Sequence, residues 1–245
     1  MNIKKIFIKN ITVFEDFELN FDKGVNVIIG ENGTGKTHLL KYIYALTQFI
    51  DKKDDTKIEI AKEFFNTEPF NLVKNNQENA EIEIIYSEDQ KLTYKIIKDI
   101  ESKKYNENIS FNDYINLKTL FIPAKDMISH SKGFLALNNK FNLPFDKTYI
   151  DIITNAELPE AKQISKVHQN ILDKLSKVIG GTVVYENDNF YIIKKDNKKI
   201  EFSLEAEGFR KLGLLYKLIR NGLIDKDTIL LWDEPESNIN PELIP

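Results

Sequence analysis

Gly30-Glu31-Asn32-Gly33-Thr34-Gly35-Lys36-Thr37 fits the phosphate-loop pattern G-x-x-x-x-G-K-[ST] at every fixed position. Each residue type there has a chemical reason. Glycines at 30, 33 and 35 permit a tight, partly left-handed backbone that approaches oxygen closely. Backbone N–H groups of Glu31, Asn32 and Thr34 then point into the loop, and the Lys36 ammonium reaches the β- and γ-phosphates of a nucleotide. The Thr37 hydroxyl is a hard oxygen ligand for Mg²⁺, and His38 follows at the start of the next element as part of the same contact set. The bland alternative, a glycine turn that happens to precede a helix, must explain four fixed residues at once.

A second group of residues offers what the loop lacks. Thr228-Ile229-Leu230-Leu231-Trp232 is an apolar run that ends in Asp233-Glu234-Pro235-Glu236. A buried strand ending in two carboxylates can give one to Mg²⁺ and the other to a water in line with the γ-phosphate. Asp233 is assigned to the metal and Glu234 to the general base, a role usually worth about 10²–10⁴-fold in rate. The competing reading is a strand that stops at Pro235 in a solvated acidic turn. Trp232 is assigned to core packing rather than to stacking on a base.

These groups need elements to hold them. The run at residues 25–29 predicts a buried strand entering the loop. Leu39, Leu40, Ile43, Tyr44, Thr47 and Ile50 recur at helical spacing after it, so the helix dipole aims at the phosphates. Near the other end, Phe209, Leu212, Leu215 and Ile219 predict a helix stopped by Asn221-Gly222. The order of phosphate loop, lid segment, signature helix, Asp-Glu-Pro strand and Ser237-Asn238-Ile239-Asn240-Pro241 resembles soluble ABC-class P-loop ATPases of the SMC/OLD-like branch, the AAA-family ATP-binding type of bacteria. The opening stretch at residues 6–26 is similar to the first hairpin of that branch. The resemblance covers roughly residues 3–50 and 200–243 and implies an α/β fold: a mixed sheet, a flanking antiparallel β-sheet and a helical insert at about residues 126–180.

Departures from that family pattern qualify the expectation. The signature stretch reads Ala206-Glu207-Gly208-Phe209-Arg210-Lys211 and lacks the family's serine, which leaves Gly208 with Arg210 or Lys211 to meet a partner copy's γ-phosphate. Pro123-Ala124-Lys125-Asp126 stands where the family's lid glutamine is expected, so Lys125 or Asp126 takes over sensing there or simply ends a strand. His38, His130 and His168 all precede the Asp-Glu strand, so none matches the family's switch histidine by position. The expectation is one domain over residues 1–245, incomplete at its C-terminus, the front part of a longer protein.

With 42% hydrophobic residues, including 16 Phe and 10 Tyr, the chain can build a real core. Without cysteine it has no disulfides, thiolate zinc sites or thiol catalysis. No apolar run approaches the roughly 20 residues that span a bilayer, so the expectation is a soluble cytoplasmic protein with no membrane partner. A net charge of −4 gives no global attraction to DNA. The basic cluster Lys194, Lys195, Lys198 and Lys199 reads as a solvated hairpin tip between residues 185–193 and 200–204. Residues 81–86 and 92–98 alternate as a hairpin, and a short helix is expected over 58–65. Residues 102–112 read as a polar, mobile connection, and residues 134–177 as helices broken by Pro144 and Pro159, with Pro159 opening the last. Phe14 lies where the family places base and ribose, or packs the hairpin.

The resemblance implies Mg²⁺-dependent ATP hydrolysis by a switch that dimerises around ATP, acting on nucleic acid or an effector protein in phage defence or DNA repair. The alternative is an ATP-gated scaffold with negligible turnover, which the missing serine and switch histidine favour. A transporter ATPase subunit fits less well, and an AAA+ ring does not fit, because its acidic strand would follow the loop far sooner.

Overall fold

The computed structural model describes residues 3–50, 58–86, 90–99, 101, 104–112 and 117–238. The chain forms two compact units, Met1–Phe121 and Ile122–Pro245.

In the first unit, β1 (Lys5–Ile11) and β2 (Phe14–Asn20) form a hairpin, and β3 (Asn79–Ile85), β4 (Lys91–Lys98) and β5 (Tyr105–Phe111) extend it to an antiparallel sheet of order β2-β1-β3-β4-β5. Alternation fixes the register. Ile6 lies opposite Ile84, Ile8 opposite Ile82, and Ile82 opposite Tyr94, all buried on one face. The other face is charged and cross-paired: Lys5 to Glu18 at 2.5 Å, Lys91 to Glu83 at 2.8 Å and Lys95 to Glu81 at 3.2 Å. The unit also holds α1 (Lys36–Thr47), α2 (Ile60–Phe65) and α3 (Pro69–Leu72), and it buries Leu39, Tyr42, Ile43 and Leu46 of α1. The last turn of α1 is tied to β6 (Lys118–Ile122) by Thr47 Oγ1 and Thr119 Oγ1, 2.6 Å apart.

Two expectations in this unit are corrected. Residues 25–29 are not a buried strand: they pair with no neighbouring strand among the described residues, and Val25, Val27 and Ile29 are 91%, 77% and 87% exposed. Apolar sequence supplies the side chains of a strand, but a strand exists only through a neighbour's backbone bonds. What is fixed locally is the turn before the run, where Asn26 bonds the Asp22 N–H and carbonyl, both at 2.9 Å. Conversely, the polar stretch read as a mobile connection contains β5, paired with β4 from Leu92↔Phe111 to Lys98↔Tyr105. Its Asn106, Asn108 and Ser110 face solvent as an edge strand allows, so tertiary pairing overrides weak propensity. The connection expected at residues 87–90 lies mostly outside the described residues.

In the second unit, α4 (Phe134–Phe141), α5 (Lys147–Glu157) and α6 (Lys166–Ile179) precede a three-stranded antiparallel sheet of β7 (Gly181–Glu186), β8 (Asn189–Lys194) and β9 (Lys199–Glu201), then α7 (Glu207–Arg220) and β10 (Thr228–Trp232). Pro159 does not open α6. Ser165 does, its Oγ accepting the His168 N–H at 3.1 Å, and Gly180 closes the helix in the left-handed region. The stretch expected as one strand over 185–193 is the β7–β8 hairpin, turned by Asn187 and Asp188 at φ 51° and 57°. The Lys195–Lys198 tip joins β8 to β9 and is exposed, as expected. Helix α7 ends at Asn221 and Gly222, the latter at φ 74°. Gly213 lets α7 lie close: a Cβ there would meet the Phe202 ring at 2.7 Å and Val183 at 3.3 Å.

Candidate functional site

The phosphate loop occupies residues 30–37 of the first unit. Gly33 and Gly35 adopt φ 82° and 95°, so the left-handed conformations the sequence required are present. Gly35 is the N-cap of α1 and offers no side chain, which leaves the first helical N–H groups to a ligand. Lys36 folds back over the loop, its ammonium donating to the Gly30 carbonyl at 2.6 Å and the Glu31 carbonyl at 2.7 Å. Thr34 Oγ1 donates to the same Glu31 carbonyl at 2.9 Å, so the side chains inside the loop fix its curvature. Gly30, Glu31, Asn32, Gly33 and Thr34 are exposed, whereas Gly35, Lys36, Thr37 and His38 are half-buried.

The hairpin turn of β1 and β2 presses on the loop. A Cβ at Gly35 would stand 2.6 Å from both the Phe14 Cζ and the Val13 Cγ2. Phe14 is buried and its ring lies 4.9 Å from that of Phe17. His38 turns away from open solvent and packs edge-on to Phe65, with ring centroids 5.4 Å apart. Burial, then the nearby Lys41 charge, lowers its pKa, and its Nδ1 is buried with no partner among the described residues.

Asp233, Glu234, Gly208 and Arg210 belong to the second unit. β10 delivers Asp233 to a buried position, 6% exposed, with its N–H donating to the Ile122 carbonyl at 3.0 Å. Glu234 is exposed and its backbone stands at φ 47°, in the left-handed region that a residue with a Cβ adopts at a cost. Trp232 is half-buried, and its indole Nε1 is buried with no partner among the described residues.

At the start of α7, Gly208 is buried, and Ala206 caps the helix without a side-chain bond. Both cations of that turn bond within their own unit. Arg210 Nε pairs with Asp126 Oδ2 at 2.5 Å and Nη1 donates to the Glu205 carbonyl at 2.6 Å. Asp126 also accepts the Ile128 N–H at 3.0 Å, so this residue of the expected lid segment lies past the end of β6, caps the turn at Ile128–His130 and anchors α7. Lys211 is 4% exposed and donates to the Glu234 carbonyl at 3.0 Å and to Ser237 Oγ. Burial lowers the Lys211 pKa, opposed by Glu207, Glu234, Glu236 and Asp126. Neither the Arg210–Asp126 pair nor the Lys211–Glu234 bond follows a local spacing, and no sequence signal marks them.

As for a metal, Thr37 and Asp233 are hard oxygen donors of the kind Mg²⁺ prefers. The described residues hold no cluster of three or more His, Cys, Asp or Glu able to bind an ion by itself.

Two solved structures place the fold. The SMC head domain from Thermotoga maritima matches with a TM-score of 0.50 and 14% identity, over 98% of this chain and 80% of that one. The Smc head domain from Pyrococcus furiosus, solved with an extended coiled coil and bound to the C-terminal domain of ScpA, gives 0.54 and 12%, over 97% and 83%. With the loop geometry above, this is an ABC/SMC-like P-loop ATPase fold. More particularly, the chain belongs to the family described as "AAA domain, putative AbiEii toxin, Type IV TA system", which matches residues 25–245. Among curated proteins it is 25% identical over 177 residues to the DNA replication and repair protein RecF of Bacillus cereus (strain G9842). That match takes in 71% of this chain and 44% of RecF, so the chain spans less than half the length of this relative. Among the described residues, no helix is long and apolar enough to cross a membrane.

Proposed function

We propose that the chain binds ATP with Mg²⁺ through residues 30–37 and hydrolyses it, with Glu234 as general base, as a switch that dimerises around nucleotide. The observation that carries this reading is the loop itself: left-handed Gly33 and Gly35, an uncapped α1, and a Lys36 ammonium held by carbonyls it can exchange for phosphate oxygens. Thr37 and Asp233 are the residues that would hold Mg²⁺, which would neutralise charge developing on the phosphates. Asp233 is buried at the end of β10, and the exposed Glu234 beside it is open to a water nucleophile. The similarity to the DNA replication and repair protein RecF favours an output on DNA, in repair, and the toxin–antitoxin system in the family description favours an effector protein, with phage defence as the alternative setting.

One observation supports the scaffold reading as second. Ala206 stands where the family's serine would meet a partner's phosphate, and Arg210 and Lys211 bond inside their own unit, which leaves Gly208 and the end of α7 to meet that phosphate without a hydroxyl or either cation. The test measures Mg·ATP binding and phosphate release side by side. Lys36→Ala should lose ATP affinity by about tenfold or more. Glu234→Gln should keep affinity and lose turnover by about 10²-fold or more. Tight binding without phosphate release in the wild type would select the scaffold, and wild-type turnover in Glu234→Gln would remove the base.

A further inference from the structure

Glu234 is the residue on which the hydrolytic reading rests, and its backbone is in an unfavourable region, φ 47°. Such a conformation persists only where its surroundings over-determine it. Here the constraint falls on one atom. The Glu234 carbonyl accepts from Lys211 Nζ at 3.0 Å, from Ser237 Oγ at 3.0 Å and from the Ser237 N–H at 3.1 Å. Two of these donors are local to the turn. The third comes from the first turns of α7, 23 residues back in the chain. Lys211 also donates to Ser237 Oγ, so its ammonium ties both ends of the turn.

Lys211 is 4% exposed as a residue, and withdrawing its charge from water costs desolvation. It is accommodated because the turn supplies oxygen acceptors and because Glu207, Glu236 and Asp126 lie close enough to act on its charge. We infer that Lys211 is a positioning residue for hydrolysis: it holds the Glu234 backbone left-handed, thereby aims the carboxylate, and couples the setting of α7 to the general base. The inference rests on the proposed role of Glu234. It makes α7 more than a phosphate contact, because Arg210 in the same turn fixes the helix to Asp126 at the lid. A shift of α7 therefore reaches the lid through Arg210 and the base through the next residue.

The sole tryptophan, Trp232, lies two residues before Glu234 and reports on the turn without any turnover. The experiment compares wild type, Lys211→Met, Lys211→Arg, Ser237→Ala and Glu234→Gln in the 245-residue chain. Phosphate-release kinetics, Mg·ATP affinity, thermal midpoint and acrylamide quenching of Trp232 are recorded for each. Lys211→Met should lower kcat by about tenfold or more while KM and ATP affinity stay within about twofold. Its Trp232 should become more quenchable, Lys211→Arg should restore both readouts in large part, and Ser237→Ala should fall between. Wild-type kcat and unchanged quenching in Lys211→Met would overturn the inference. So would a loss of kcat that tracks a collapse in thermal midpoint and is not rescued by arginine. Wild-type turnover in Glu234→Gln would instead defeat the general-base reading, and a chain without turnover would remove hydrolysis. In either case the quenching of Lys211→Met against Lys211→Arg still decides whether Lys211 holds the turn.

Discussion

A methyl group at position 35 would meet the Phe14 ring and the Val13 side chain at 2.6 Å, on a backbone at φ 95°. Gly33 is also left-handed, φ 82°, yet a Cβ there meets nothing within 4 Å. Two alanine substitutions in one loop therefore separate backbone strain from overpacking. Gly33→Ala should destabilise by about 1–2 kcal/mol, the cost of a left-handed residue. Gly35→Ala adds a steric term of about 1–3 kcal/mol and displaces the hairpin turn, so its urea midpoint should fall further and its ATP affinity with it. Equal losses would mean that the hairpin yields freely. The loop was legible in the sequence because its chemistry is local: eight consecutive residues encode the left-handed turns, the lysine and the helix that follows. The reason for glycine at 35 was only half legible, since the side chains that crowd it belong to the β1–β2 turn and the start of β2. Lys211 stood in the sequence as one of two cations facing phosphate, whereas its ammonium bonds the Glu234 carbonyl.

At the scale of elements, β5 shows what periodicity misses. Its inward Glu107 is half-buried, and Oε1 accepts from the Tyr94 hydroxyl of β4 at 2.5 Å and from the Ala61 N–H of α2 at 2.9 Å. Burial raises the Glu107 pKa above 4.5, helped by the Glu59 charge and opposed by hydrogen bonds from Tyr94 and the Ala61 and Ile60 N–H groups. Tyr42 of α1 faces the same carboxylate, and its own pKa is raised by burial and then by Glu107. With a folded pKa above the unfolded one, the native state holds the proton longer, so this group stabilises most below pH 4.5. That contribution should fade as pH rises through the folded value. Urea midpoints of wild type and Glu107→Gln should therefore converge in acid and part at higher pH, with the glutamine variant showing the flatter profile. A wild-type profile no steeper than the variant's would remove Glu107 from the linkage. Hairpins and long helices were readable because side-chain alternation and the 3.6 period are written in sequence. β3, β4, α1 and α7 follow that rule. The run at 25–29 fails it in one direction and β5 in the other, because ladder partners are distant and propensity does not name them.

For the whole molecule, the question is whether two copies meet around nucleotide. Each carries a net charge of −4, and the outer face of its five-stranded sheet is cross-paired rather than basic. Exposed charges are screened beyond about 8 Å at physiological salt, so copies neither attract nor strongly repel at a distance. Association must then come from contacts that exist only with ATP bound, and by mass action a ligand that binds the dimer best drives its formation. Glu234→Gln with saturating Mg·ATP should run at twice the monomer mass in size exclusion with light scattering, whereas ADP or Lys36→Ala should leave monomer. The charge at the start of α7 gives the sharper test. Glu207 flanks Gly208 on the helix end proposed to meet a partner's phosphate, and it opposes an anion there. Glu207→Lys should tighten the nucleotide-dependent dimer several-fold, a surface charge contact being worth up to about 1 kcal/mol, and should leave ATP affinity of the monomer unchanged. Salt should weaken that gain. A dimer indifferent to the reversal would place the partner's phosphate elsewhere, and a chain that stays monomeric with ATP would leave the nucleotide acting within one copy.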